Sequence, residues 1–159
     1  MDTITARVAD FNEYPNIMEF LKSPEVDNLF KVPLSQREKT FEKRVFRDNV
    51  IWTILVNEFN LIVGCWSYTH DTDHNCIIFS TLAIHPSLKG LGLGETLFLF
   101  TINHALGKHP HALQFDSWEG NYAISNLAKK YEFNMKNIFL DEEKRGVGGK
   151  TIVYERRIR

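Results

Sequence analysis

The chain has 159 residues with 19 basic and 20 acidic side chains, a balance that argues against bulk electrostatic binding to nucleic acid or anionic lipid. Hydrophobic residues at 43% and charged residues at 25% are ordinary for a soluble globular protein, and the length fits one domain over residues 1–159. No apolar run is long enough to span a membrane or begins the chain as a signal peptide would, so we expect a cytoplasmic protein.

The N-terminal part predicts a strand, a helix and an irregular connection. Residues 3–8 alternate apolar and polar side chains, as a strand does. The helix that follows is predicted to have Asn12 as its N-cap and to end before Ser23. Its apolar stripe consists of Tyr14, Ile17, Met18 and Leu21. Residues 23–33 show no clear period, so they predict a loop held to the core by apolar side chains, with a substrate wall as the alternative.

A second helix and a β-hairpin come next. Ser35 and Glu38 form the S-x-x-E pattern of a capping box, which predicts a helix start. The residues predicted to face inward are Leu34, Phe41 and Val45. Residues 50–56 and 61–68 are rich in β-branched and aromatic side chains, and the turn 57–60 between them predicts a hairpin.

The segment 70–75 contains two histidines and two aspartates. Because a tight turn cannot direct all four side chains at one ion, we expect a solvated loop, with a metal site as the alternative. Cys65 and Cys76 flank this turn and could face each other across it. In a chain without an export signal we expect two reduced thiols rather than a disulfide.

A glycine-rich loop joins a buried strand, residues 76–84, to a third helix that ends at Gly107. Gly90, Gly92 and Gly94 alternate with leucines behind Lys89. Glycine lets the backbone approach a ligand closely, and the first N–H groups of a helix have no partner within the helix. With the helix dipole, these groups predict a site for an anion, most often a phosphate.

The spacing of the glycines selects among phosphate ligands. The P-loop pattern G-x-x-x-x-G-K-[ST] is absent. A dinucleotide fingerprint, G-x-G-x-x-G, would place its third glycine at Glu95, although Asp116 lies where a ribose-binding acid would be expected. The better match is [RK]-x-x-G-x-G after V-x-P, here Lys89 to Gly94 after Ile84-His85-Pro86. This pattern resembles the acetyl-CoA signature of the GCN5-related N-acetyltransferases, in which Lys89 replaces the usual arginine or glutamine.

The second half is compatible with the same family. Residues 112–116 predict a strand parallel to residues 76–84, since a helix connects the two. The last long helix begins near Asn121, where the family has N-x-x-A-x-x-L-Y-x-x-x-G-F. The positions that match are Asn121, Leu127 and Phe133. Ile124 and Glu132 replace the alanine and the glycine, and Ala128 replaces the tyrosine that commonly protonates the departing thiolate.

Residues 133–140 and 147–154 predict a final hairpin, with a possible bulge at Gly148 and Gly149.

The resemblance implies a mixed α/β fold: a central, mostly antiparallel sheet of six to seven strands flanked by about four helices. It also implies that residues 23–33 cover the acceptor and that acetyl-CoA is the co-substrate, with no metal. The residues implied to bind acetyl-CoA are Leu82, Ala83, Ile84, Lys89, Gly90, Leu91, Gly92, Leu93, Gly94, Glu95 and Asn121.

The chemistry of acetyl transfer suggests further roles. The backbone N–H of Ile84 is implied to polarise the thioester carbonyl. An alkyl amine has a pKa of about 10, so a base is useful, and Asp116 is the first candidate. Tyr131 and Ser125 lie one helical turn on either side of Ala128, so either could stand in for the missing tyrosine.

The leading hypothesis is therefore an acetyl-CoA-dependent N-acetyltransferase acting on a primary amine by direct attack in a ternary complex. Two alternatives remain: a catalytically weak or inactive module of the same fold that binds coenzyme A, and a dinucleotide-binding enzyme. We expect a monomer or homodimer with no nucleic-acid or membrane partner. The amine acceptor stays open at this point.

Overall fold

The computed structural model describes residues 3–158, apart from the side chains of residue 35 and residues 37–41. The strands in it are β1 (Thr5–Val8), β2 (Val50–Val56), β3 (Ile62–Asp71), β4 (Cys76–Ile84), β5 (Ala112–Trp118), β6 (Asn134–Leu140) and β7 (Lys150–Arg157). The helices are α1 (Tyr14–Lys22), α2 (Pro24–Asp27), α3 (Glu38–Val45), α4 (Leu93–Leu106), α5 (Tyr122–Lys130) and α6 (Glu142–Arg145). Short 3₁₀ turns span Phe11–Glu13, Leu34–Arg37 and Pro86–Leu88.

The described strands form one seven-stranded sheet in the order β1-β2-β3-β4-β5-β7-β6. Every neighbouring pair is antiparallel except β4 and β5, which are parallel and are connected through α4. Four of the described helices have eight residues or more. The predicted fold class, a mixed and mostly antiparallel sheet with about four substantial helices, is confirmed.

Two apolar clusters cover the two faces of the sheet. The alternation of side chains along β2 shows this directly, because Trp52 and Ile54 belong to the cluster under α1, α2 and α3, whereas Ile51 and Leu55 belong to the cluster under α4 and α5. The predicted stripe of α1 is buried in the first cluster. Leu34 and Val45 are also buried there, as predicted.

Several local details differ from the sequence predictions. Asn12 lies inside the 3₁₀ turn that precedes α1. Asp10 caps this turn, with its N–H donating to Glu13 Oε1 at 2.9 Å, and Glu13 is the N-cap of α1. The capping box at residues 35 and 38 and the inward orientation of residue 41 involve side chains outside the described part. The predicted bulge at residues 148–149 is wrong, because these residues lie in the turn before β7 and the register shift falls between Met135 and Asn137 on β6.

The two thiols do not face each other. Cys65 lies opposite Ala83, whereas Cys76 lies opposite Asp71, six residues along β3. Both cysteines are free, and burial raises the pKa of the Cys65 thiol. None of the helices in residues 3–158 is both long enough and apolar enough to cross a bilayer.

Glu132 adopts a left-handed conformation at the end of α5, with φ of 66°. The N–H of Phe133 donates to the carbonyl of Ala128 at 2.8 Å, as in a Schellman cap, in which glycine is favoured. This is the position at which the family motif has its glycine. A residue with a Cβ atom in this conformation lowers the free energy of unfolding by roughly 1–2 kcal/mol relative to glycine. The greater conformational entropy of glycine in the unfolded chain partly offsets this difference.

We therefore expect Glu132→Gly to raise the free energy of unfolding by roughly 0.5–1 kcal/mol, measured by urea denaturation. Glu19→Gly is the matched control, because Glu19 is an exposed residue within α1 and its replacement should destabilise by roughly 1 kcal/mol. If both variants lost stability alike, φ at residue 132 would not be a source of strain.

Candidate active site

A cleft opens in the sheet where β4 and β5 separate. The two strands pair only between Cys76–Phe79 and Ala112–Phe115, although β4 continues to Ile84 and β5 to Trp118. On the other side of β4, Trp66 faces two residues, Thr81 and Leu82, because Ser67 pairs with Ser80 and Cys65 with Ala83. This bulge, in which Thr81 has φ of 66°, bends β4 away from β5.

The backbone of Ile84 faces this opening. Ile84 lies opposite Gly64 on β3, and the next residue, His85, donates its N–H to the carbonyl of Val63 at 2.8 Å. In an antiparallel ladder the residues alternate in direction, so the N–H of Ile84 is directed away from β3. It therefore points to the side on which β5 no longer pairs with β4.

The glycine-rich loop places an open backbone at the start of α4. Gly90 and Gly92 have φ of 84° and 75°, and a Cβ atom on either would meet no atom within 4 Å. Gly92 is the N-cap of α4. Glycine at these positions adopts the left-handed conformation without a steric cost, and the absence of a side chain leaves free space in front of the helix. The exposed side chains of Lys89 and Leu91 flank this space.

The first turn of α4 supplies hydrogen-bond donors to the same space. The first bond of the helix runs from Thr96 N to the carbonyl of Gly92 at 3.1 Å. The N–H groups of Leu93, Gly94 and Glu95 therefore precede the internal ladder of the helix. Gly94 also lies beside the end of β4, since a Cβ atom on it would be 4.0 Å from Ile84 Cγ1. Donors, helix dipole and open backbone together fit a phosphate group.

The carboxylate of Glu95 is held away from these donors. It accepts from Lys130 Nζ at 2.6 Å and from the hydroxyl of Tyr131, both at the end of α5. The hydrogen bonds from Lys130 and Tyr131 lower the pKa of Glu95, and the bond to Glu95 raises the pKa of Tyr131. Tethering this negative charge to α5 leaves the main-chain N–H of Glu95 as its contribution to an anion site.

A cavity of about 140 Å³ occupies the cleft between β4 and β5. Its floor is aromatic, with Trp66 stacked on Phe79 at 4.5 Å between ring centroids. Its residues from the sheet and α5 are Trp66, Phe79, Ser80, Thr81, Leu82, Phe115, Asp116, Ser117, Trp118, Asn121 and Ile124. The opposite wall consists of Leu29, Phe30, Lys31, Arg44, Lys144 and Arg145. Part of the segment 23–33 therefore does form a wall of this cavity.

Asp116 lies at the edge of the cavity in a network of ion pairs. Arg145 donates to its Oδ1 at 2.9 Å, and Lys144 Nζ lies 3.8 Å from its Oδ2. Arg145 also donates from Nε to the hydroxyl of Thr151 at 2.8 Å. The network fixes α6 against β5 and holds the Asp116 carboxylate at the mouth of the cleft.

Asn121 links β5 to the start of α5. As the N-cap it accepts from Ile124 N at 3.3 Å, and its Nδ2 donates to the hydroxyl of Ser117 at 3.0 Å. The predicted position of this helix start is confirmed. The side chain of Asn121 therefore serves the cap, which aligns α5 beside the cavity.

The predicted site residues, catalytic and cofactor-binding, are not all brought together. Asp116 and Leu82 line the cavity. Ser125 borders a separate hollow beside β7, and Tyr131 bonds to Glu95. Ala128 is only 1% exposed and belongs to the core, so the family's tyrosine position here carries no group that reaches the cleft.

Sequence reasoning missed the cationic wall of the cavity. Lys31 lies with its Nζ 4.2 Å from the ring centroid of Trp118, and Arg44 occupies the last turn of α3. Lys144 and Arg145 lie in α6, between the two strands of the predicted final hairpin. These positions are far apart in the chain, so no local pattern could have grouped them.

The turn between β3 and β4 pairs its polar side chains locally. His74 Nδ1 lies 2.9 Å from Asp71 Oδ2, and His70 Nε2 lies 2.7 Å from Asn75 Oδ1. Among the residues that the structure describes, no three His, Cys, Asp or Glu side chains are grouped as metal ligands would be.

Several known structures with the same architecture are acetyltransferases. The ribosomal-protein-S18-alanine N-acetyltransferase from Escherichia coli aligns with a TM-score of 0.74 at 17% identity, covering 99% of this chain and 94% of that one. The IAA acetyltransferase from Bacillus cereus aligns with a TM-score of 0.72 at 15% identity, covering 98% and 100%. A variant of the spermidine N-acetyltransferase from Vibrio cholerae aligns with a TM-score of 0.71 at 14% identity, covering 96% of this chain and 94% of that one.

In sequence, no protein-family model matches the chain and no curated protein matches it. The structural similarity over nearly the whole length nevertheless defines the class of fold: this is the GCN5-related N-acetyltransferase fold. The sheet of residues 3–158, with one parallel strand pair, also differs from the parallel doubly wound sheet of dinucleotide-binding domains.

Proposed function

We propose that the protein is an acetyl-CoA-dependent N-acetyltransferase that transfers an acetyl group to a primary amine by direct attack in a ternary complex. The observation that carries this proposal is the position of the open phosphate cradle, Lys89 to Glu95, which follows by one 3₁₀ turn the strand β4 that separates from β5 and stays paired with β3. The similar folds of known acetyltransferases support it. A cytoplasmic location and a monomeric or homodimeric state remain parts of the same proposal.

The cradle would bind the diphosphate of acetyl-CoA. The N–H groups at residues 90–95 donate to phosphate oxygens, and Lys89 supplies a countercharge. Gly90 and Gly92 fit such a ligand because the space in front of them is open. Acetyl-CoA itself supplies the activated acetyl group as a thioester.

The split strand would orient the thioester. The backbone of Leu82, Ala83 and Ile84 offers an unpaired strand edge on the side of the cleft, which suits the amide groups of the pantetheine arm. The N–H of Ile84 donates to the thioester carbonyl and stabilises negative charge that develops on its oxygen. The acceptor enters through the cavity, with its amine directed toward the thioester carbonyl.

Proton transfer requires less of the protein than the other steps. We propose that Asp116, at the mouth of the cavity, receives the proton of the amine, directly or through a water. A thiol has a pKa of about 8.5, so the departing thiolate does not depend on a tyrosine for its release. This is consistent with a buried alanine at position 128.

A binding and turnover experiment tests the proposal. Acetyl-CoA should raise the melting temperature of the protein more than NAD does, and a panel of amines should consume the thioester with formation of the N-acetyl product. Binding without transfer to any amine would favour the inactive module. A stronger effect of NAD would favour the dinucleotide-binding enzyme, and no binding of either would overturn the proposal.

Tyr131 is expected to act on binding rather than on chemistry. Its hydroxyl helps to hold the Glu95 carboxylate on α5, so Tyr131→Phe should free a negative charge beside the phosphate site. We expect the Kd for acetyl-CoA to rise by about 2- to 5-fold while kcat is retained. A fall in kcat with an altered pH profile would instead support the catalytic role that the sequence predicts for this tyrosine. Ser125→Ala serves as the companion variant, because Ser125 lies outside the cavity.

A further inference from the structure

The acceptor side of the cavity has an unusual charge distribution. Four cationic side chains line the cavity, namely Lys31, Arg44, Lys144 and Arg145, against one carboxylate, Asp116. The remaining lining residues are polar or apolar, so the cavity carries an excess of positive charge. An excess of this sign disfavours an acceptor whose only charges are ammonium groups.

The charges are also arranged in two separate groups. Asp116, Arg145 and Lys144 satisfy one another at the α6 side of the cavity. Arg44, at the end of α3, has no ion-pair partner among the side chains that the structure describes. Lys31 lies over the face of Trp118. Arg44 and Lys31 are therefore available to an anionic group that enters the cavity.

We propose, on the basis of the proposed function, that the acceptor is an amine that also carries a carboxylate, and that Arg44 and Lys31 bind this carboxylate. An arginine fork matches a carboxylate with two parallel hydrogen bonds, and a lysine adds a point charge. The amine of the same molecule lies toward Asp116 and the split between β4 and β5. Aromatic lining at Trp66, Phe79 and Trp118 accommodates an apolar or aromatic part of the same molecule.

Matched acceptors test the proposal in the transfer reaction. 4-Aminobutyrate, butylamine and 1,4-diaminobutane share an aminopropyl group and differ at the far end only, with a carboxylate, a methyl group or a protonated aminomethyl group. L-Phenylalanine and its amide differ in one charge. We expect kcat/KM for the carboxylate member of each series to be at least about 10-fold higher than for the other members of that series. Preference for the neutral or the doubly cationic members would overturn the inference and leave the acetyltransferase proposal standing.

The two residues are tested by variants that should not disturb the phosphate cradle. Arg44→Gln and Lys31→Gln should remove most of the preference for carboxylate acceptors, while the shift in melting temperature caused by acetyl-CoA stays unchanged. Arg47→Gln is the matched control, because Arg47 is exposed three residues further on and does not line the cavity. A preference that survives both variants would overturn the assignment.

A binding measurement decides the question even if no transfer occurs. Trp118 lies beneath Lys31, so tryptophan fluorescence can follow titration with N-acetyl-L-phenylalanine and with its amide. We expect the acid to bind at least about 10-fold more tightly than the amide to the unmodified protein, and the ratio to fall toward one in the Arg44→Gln variant. Equal binding of acid and amide would overturn the inference. A failure of the protein to bind acetyl-CoA would overturn the proposed function instead.

Discussion

Gly92→Asp is expected to abolish measurable binding of acetyl-CoA, with an increase in Kd of roughly 100-fold or more. Gly92 is the N-cap of α4 and has φ of 75°, and a Cβ atom added to it would meet no other atom within 4 Å. An aspartate there places a carboxylate in the space that the diphosphate occupies under the proposed function, and this carboxylate can itself accept from the free N–H groups of the helix. Isothermal titration calorimetry measures the effect.

Gly148→Asp is the matched control for this variant. Gly148 also has a positive φ, 71°, and open space around a Cβ, but it lies in the turn after α6. The two variants share the strain and the added charge, so only the position differs. Equal affinity in the Gly92→Asp and unmodified proteins would contradict the assignment of the cradle, and with it the proposed function.

Trp66→Ala is expected to lower the free energy of unfolding by about 3–5 kcal/mol, the largest effect on stability that we predict. Trp66 is 2% exposed and stacks on Phe79 and on Phe98, with ring centroids 4.5 and 5.2 Å away. It also meets the edge of Phe115 at 6.0 Å. Truncation removes these contacts and leaves a void between β4 and α4 that the packed rings cannot fill. Urea denaturation followed by circular dichroism measures the loss.

Phe59→Ala controls for the loss of an aromatic side chain. Phe59 is 74% exposed in the turn between β2 and β3, so its removal should change the free energy of unfolding by less than about 0.5 kcal/mol. A small effect of Trp66→Ala, comparable to that of Phe59→Ala, would show that the aromatic stack contributes little to the stability of the apolar cluster on this face of the sheet. Because Trp66 also forms the floor of the cavity, the milder Trp66→Phe variant separates stability from acceptor binding.

Local patterns were sufficient for most of the secondary structure. β4 was predicted with its observed bounds, and the strand, loop and helix around Gly92 follow from side-chain period and from glycine spacing. Such features depend on residues that are neighbours in sequence. The N-cap of α1 was missed because Asn12 is itself a good capping residue, whereas a 3₁₀ turn capped by Asp10 precedes α1 and leaves Glu13 as its N-cap.

The cleft depends on features that no local pattern contains. Thr81 adopts a left-handed backbone although a β-branched residue disfavours it, and only the register of β3 against β4 reveals the bulge. The register in turn determines where β4 leaves β5. The same holds for Ala128, whose burial depends on how α5 packs on the sheet.

The sequence by itself determined the glycine-rich loop and helix start that we propose as the phosphate cradle, because glycine conformations and the free N–H groups of a helix start are properties of one continuous segment. Only the tertiary structure decided what faces the cradle. The cavity wall draws Lys31, Arg44 and Lys144 from three separate segments, and Tyr131 turns to Glu95 rather than to the cleft. The physical reason is that side-chain contacts across the fold depend on strand register and helix packing, which many distant residues set together.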